Sequence, residues 1–112
     1  MSEKLYTYDR LRAFVFGILE RMGCPEDDAR LATEVLLSAD LRGIDSYGIA
    51  RLSGYVRLWE AKRINPAPKV TIVHETPSTA VMDGDQGLGL VVAPKAMKVA
   101  IEKASVSGTG WV

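Results

Sequence analysis

"INPAPKV", residues 64–70, separates two kinds of text in this sequence. A residue that precedes proline is pushed away from helical geometry, so Asn65 and Ala67 both bar a helix from running through. Before this stretch the apolar residues recur at three- and four-residue spacing. After it they gather in short β-branched runs bounded by turn residues. The break predicts a mixed α/β chain, with a helical layer of about three helices over residues 1–66 and the start of a second, sheet-containing unit over 67–112.

Working back from the break, a third helix is predicted from about Tyr47 to Arg63, with Leu52, Val56 and Trp59 on its core side. A second begins around Pro25, where "PEDD" sets a proline and three acids at the end that the helix dipole favours. Its stripe is Leu31, Val35, Leu36 and Ala39, and Gly43 is its natural stop. The first spans Tyr8 to Met22, with Leu11, Phe14, Val15, Ile18 and Leu19 on one face, Thr7 able to cap its start and Gly23 its end. The first two should pair as an antiparallel hairpin.

Working forward, "KVTIVHE" (69–75) and "TAVMDGD" (79–85) predict two strands joined by "TPS". "GDQGLGL" (84–90) is a glycine-rich turn, and Ala93 to Ala104 a helix. The closing "GTGWV" (108–112) has the character of a strand just beginning. An apolar ending on Trp111 and Val112 gives the expectation that the chain is cut short.

Lysine plus arginine and aspartate plus glutamate both count 14, so the formal net charge is zero. Nucleic-acid binders carry a basic excess, and no dense basic run occurs here. The sequence therefore points to a small ligand or another protein, and not to nucleic acid. The single cysteine, Cys24, can form neither an internal disulfide nor a zinc site with a second thiol. The charged start "MSEKLYTYDR" is no secretory signal and no apolar run is long enough for a bilayer, so a cytoplasmic protein without a membrane span is expected.

"LRGIDSYGIARLSGY", residues 41–55, is the stretch with chemistry in it. Tyr47, Arg51 and Tyr55 follow at four-residue intervals and would share one helical face. Ser46 could cap that helix, leaving backbone N–H groups and the positive end of its dipole beside Tyr47. Arg51 offers a planar, permanently charged fork suited to a carboxylate, and Tyr55 a hydroxyl. Together they could hold a small anion. The same residues also admit a plainer reading: a cap, an arginine paired with an acid on the neighbouring helix, and packing tyrosines.

Other candidates are weaker. Gly84, Gly87 and Gly89 do not follow the dinucleotide fingerprint, and no Lys-Ser or Lys-Thr pair follows as a P-loop requires. A tight turn between strand and helix explains them better. Asp83 and Asp85 are common turn residues. His74, the only histidine, lies in a predicted strand, and neither it nor Cys24 is given a catalytic role.

The wording and order of "DLRGIDSYGIARL" (40–52), "MDGDQGLGLVV" (82–92) and "AIEKA" (100–104) resemble the malate/L-lactate dehydrogenases that lack a Rossmann domain. The resemblance covers essentially the whole sequence and favours the site reading of residues 41–55. It implies an oxidoreductase that transfers hydride between NAD or NADP and a small 2-hydroxy or 2-oxo acid such as malate or lactate. It also implies a homodimer in the full-length form and makes residues 67–112 the beginning of the nicotinamide-cofactor domain. Carried over, Arg51 would hold the substrate carboxylate, with Ser46 and Tyr55 lining the pocket. The family's histidine, a proton donor and acceptor, falls at Tyr47. A second catalytic histidine and most of the cofactor domain belong to a part of the family pattern beyond these residues, so this stretch by itself is expected to be inactive. A second reading is a non-catalytic dimerisation or interaction module derived from that family.

Overall fold

The computed structural model describes residues 3–112. Helix α1 (Tyr8–Arg21) opens on Thr7, whose hydroxyl oxygen accepts the Arg10 N–H at 3.3 Å. Helix α2 (Glu26–Leu41) starts after Pro25 and carries Glu26, Asp27 and Asp28 in its first turn, where negative charge meets the positive end of the dipole. The two pack side by side and antiparallel, with Arg12 bridging to Glu34 at 3.3 Å. Val15 and Leu19 from α1 meet Ala29, Ala32, Leu36 and Leu37 from α2, all at most 1% exposed. The two alanines leave room for the larger side chains. Buried Thr33 satisfies its hydroxyl by donating to the Ala29 carbonyl at 2.7 Å.

Each of the first three helices ends in the same device. A residue with positive φ follows the last turn, and two successive N–H groups reach back to carbonyls five and three residues earlier. Gly23 (φ 102°) closes α1, with Cys24 N–H to Leu19 and Gly23 N–H to Glu20. Gly43 (φ 73°) closes α2, with Ile44 N–H to Ala39 and Gly43 N–H to Asp40. Lys62 (φ 57°) closes α3 (Leu52–Glu60), with Arg63 N–H to Leu58 and Lys62 N–H to Trp59.

Helix α3 corrects the sequence expectation at both ends. It begins at Leu52, not Tyr47, and stops at Glu60, short of Arg63. Residues Asp45–Tyr47 and Ile49–Arg51 instead form two short 3₁₀ turns either side of Gly48. Nor does Ser46 cap anything with its side chain. The reason is non-local: the Asp40 carboxylate, near the end of α2, accepts the Ile49 N–H at 2.8 Å and lies against Gly48. A Cβ at position 48 would collide with that carboxylate.

Beyond the proline break, β1 (Thr71–Glu75) and β2 (Ala80–Asp83) form an antiparallel hairpin with Thr71 opposite Asp83 and Glu75 opposite Ala80. An irregularity in register falls between Ile72 and His74. The turn is fastened by Thr76 and Thr79, whose hydroxyls lie 2.6 Å apart. Helix α4 spans Gly89–Ser107, a turn longer at its start than the sequence implied, because Val91 and Val92 both donate to the Leu88 carbonyl. After the left-handed Gly108, Trp111 pairs in parallel with Thr79, donating to Ser78 and accepting from Ala80. Where "GTGWV" is expected to begin a strand, the structure shows this one isolated bridge.

The two parts of the chain are joined by polar locks. Asp85 accepts the Lys69 N–H at 2.9 Å and the Asn65 amide at 3.0 Å, tying the glycine turn to the proline break. Lys95 on α4 reaches Asp28 on α2 at 2.9 Å. Within the second part, Lys103, whose side chain is 13% exposed, holds α4 to Glu75 and the Thr76 carbonyl.

Candidate functional site

The segment that leaves α2 at Gly43 and returns to helix at Leu52 is a short bridge fixed at both ends, and it presents Ser46, Tyr47 and Arg51 on the outside of the molecule. Asp40 is the peg. Its carboxylate takes the Ile49 N–H and fills the space that Gly48 leaves open, so the turn carrying Tyr47 and the turn carrying Arg51 keep a set relation. Sequence reasoning missed this residue. Its only trace was an acid opening the stretch that resembles the dehydrogenases.

Four-residue spacing brings Tyr47 and Arg51 together even though the intervening backbone is not a regular helix. The guanidinium carbon of Arg51 lies over the Tyr47 ring, 5.2 Å from its centre. Arg51 Nε donates to the Ser46 carbonyl at 2.7 Å. The plainer sequence reading gave Arg51 an acidic partner. Among the described residues no carboxylate pairs with it. An exposed guanidinium with one edge and one face engaged, and terminal nitrogens that donate to no described residue, is suited to an anion from outside.

The other two candidates are placed differently. Ser46 contributes its carbonyl, while its hydroxyl has no hydrogen-bond partner among the described residues. Tyr55 turns inward, half-buried and packed against the helical core, and no hydrogen bond links it to Arg51 or Tyr47 among the described residues. A groove of about 810 Å³ borders the bridge at Asp45 and Ile49 and runs between Leu5, Tyr6, Phe14 and Leu41.

The glycine turn packs closely on the protein itself at Gly84 and Gly87, while Gly89 is open. A Cβ at Gly84 would meet Val92 at 2.9 Å, and one at Gly87 would meet Pro68 at 2.6 Å. These glycines serve close packing of the protein on itself, and the carboxylate of Asp85 between them is engaged by Lys69 and Asn65. Asp85 and Gln86 adopt positive φ of 51° and 57° to make the turn.

His74 lies exposed on β1. Cys24 is 6% exposed; burial pushes its thiol pKa up, and the neighbouring Asp28 carboxylate adds to that. A thiol held neutral is a poor nucleophile. No group of three potential metal ligands occurs among the described residues, and no helix among them is long and apolar enough to cross a membrane.

Known proteins share both this wording and this shape. The chain is 48% identical over 104 residues to a malate dehydrogenase of Pyrococcus abyssi, covering 93% of this chain and 29% of the relative. It is 45% identical over 101 residues to an L-sulfolactate dehydrogenase of Methanocaldococcus jannaschii, covering 90% of this chain and again 29% of the relative. The solved structure of malate dehydrogenase from Pyrococcus horikoshii OT3 superposes with a TM-score of 0.88 at 42% identity, over 98% of this chain and 34% of that one. The chain thus spans under a third of the length of these curated relatives. Residues 6–112, the bridge and the glycine turn included, match the malate/L-lactate dehydrogenase family, and the chain belongs to it.

Proposed function

We propose that this chain is the substrate-facing, N-terminal part of an oxidoreductase that transfers hydride between NAD or NADP and a small 2-hydroxy or 2-oxo acid. Its relatives' names make malate and sulfolactate the first acids to try. The observation that carries the reading is Arg51, an exposed guanidinium held by Ser46 and Tyr47 and paired with no carboxylate among the described residues.

In this reading residues 1–66 form the helical layer that bears the substrate pocket, and 67–112 begin the cofactor domain of a cytoplasmic homodimer. Arg51 binds the carboxylate of the acid, with Ser46 lining the pocket beside it and Tyr55, packed on the helical core, from its inner side. No residue of this chain is assigned to the cofactor.

Reduction of a 2-oxo acid needs a proton delivered to the carbonyl oxygen. Histidine is suited to that exchange near neutral pH, whereas a phenol stays protonated there, a weaker acid toward the carbonyl oxygen and no base for the reverse reaction. Tyr47 therefore stands at the proton-transfer position with the less suitable group. In a full-length protein with this sequence, Tyr47→His should raise kcat by about 10²-fold. Arg51→Ala should chiefly raise KM for the acid. Absence of both nicotinamide binding and turnover of any such acid would sink the proposal; an unchanged KM and kcat in Arg51→Ala would remove Arg51 from the site.

A further inference from the structure

We infer that Tyr47 is a positioning residue for Arg51, its ring serving as the platform on which the guanidinium is presented to the substrate carboxylate. This rests on the assignment of Arg51 to the carboxylate and gives position 47 a task that its hydroxyl does not perform.

Tyr47 is 66% exposed, and its hydroxyl has no hydrogen-bond partner among the described residues. Neither burial nor a polar anchor explains a large aromatic group at this place. Its specific contact is with Arg51, whose guanidinium carbon sits 5.2 Å from the ring centre, inside the range where the quadrupole of the ring attracts a cation. Ser46 restrains the same group from another direction through the 2.7 Å bond to Nε. A flexible side chain is thereby held at two points, and its terminal nitrogens, which donate to no described residue, are left for the ligand.

Pre-ordering matters here because an arginine otherwise loses much rotamer freedom on capturing an anion. Asp40 extends the restraint to the backbone by fixing Gly48 and Ile49 between the two partners. A histidine at position 47 could not serve equally. Its ring is smaller, and its protonated form would repel the guanidinium. Tyrosine in this place exchanges ready proton transfer for a better-held carboxylate anchor.

The two roles separate on substitution in the full-length protein. Tyr47→Leu should raise KM for L-malate by about three- to five-fold, the size of an exposed cation–ring contact. Tyr47→Phe, which keeps the ring and loses the hydroxyl, should recover most of that loss. If Phe raises KM as much as Leu, or if Leu leaves KM unmoved, the platform is refuted. A second readout needs no turnover: in protein labelled with ¹⁵N-arginine, the Nε–H signal of Arg51 should move in Tyr47→Leu and stay near the parent position in Tyr47→Phe. An Nε–H signal unmoved in the Leu variant overturns the inference. Should the parent neither bind nor turn over a 2-hydroxy acid, the proposed function and the carboxylate ligand both fail, and the Arg51 signal still decides whether the ring holds the guanidinium.

Discussion

Leu36 on α2 is 1% exposed, whereas Ile101 on α4, a side chain of the same size and class, is 61% exposed. The contrast extends to their surroundings. Among the described residues, nine of the eleven in the main buried cluster lie before the proline break, and from the other side Leu88 and Val91 join it with Leu90 packed against it. Val73, Val81, Met97, Ile101 and Trp111 all face outward in the second part. Polar contacts act there at defined points: Asp85 and Lys95 tie that part to Asn65 and Asp28 of the first, and within it Lys103 and Ser107, which donates to the Pro77 carbonyl, tie α4 to the hairpin. One region is held by area removed from water and the other by geometry, and they should fail differently.

The largest effect expected from this difference is in the core. Leu36→Ala should cost about 2–5 kcal/mol, the transfer loss plus the cavity left behind. Ile101→Ala should fall within about 0.5 kcal/mol, as for other exposed positions. Denaturant midpoints of the two variants make the comparison, and equal losses would break it.

Next comes the lock at the glycine turn. Asp85→Ala strands the Lys69 N–H and the Asn65 amide, with a cost of about 1–3 kcal/mol. Amide hydrogen exchange should quicken in β1 and β2 while α1 and α2 keep their protection. Faster exchange throughout the chain would mean that the two parts open together.

What could be read from sequence follows the range of the interaction responsible. The cap at Thr7, the stops at Gly23 and Gly43, the hairpin around residues 76–79 and the effect of the two prolines each depend on neighbours a few residues apart, and local chemistry revealed them. The start of α3 did not show, because its cause is a carboxylate nine residues upstream acting across Gly48. Its end was also misplaced: Lys62 performs the task of a glycine with a residue that gives no such signal. At the candidate site, spacing alone joined Tyr47 to Arg51, but not the inward turn of Tyr55 or the use of the Ser46 carbonyl in place of its hydroxyl.

Lys62 supplies a smaller, opposite test. Its left-handed backbone is strained for any side chain, so Lys62→Gly should stabilise the chain by about 0.5–1 kcal/mol, read as a higher urea midpoint. A loss would show that the lysine side chain contributes something that its exposed position conceals.

The smallest effect concerns pH. Burial and Asp28 raise the Cys24 pKa, so the folded chain binds this proton more tightly than the unfolded one. The associated stability is intact below the unfolded thiol's value of about 8.5 and is lost as pH rises through the higher folded value. Midpoints measured from pH 7 upward should fall more steeply in the parent than in Cys24→Ala. Parallel curves would place the alkaline loss elsewhere.

The parallel bridge between Thr79 and Trp111 also sets an order of events in time. The β1–β2 hairpin closes over four residues, but the bridge requires α4 to form and bring back a residue far along the chain. Such long closures are slow relative to helices and tight turns. The two tryptophans divide conveniently between these events: Trp59 packs on the helical core, and Trp111 sits at the bridge. Each region thus carries its own optical clock, and fluorescence from single-tryptophan variants would time the collapse of the helices separately from the arrival of the last strand.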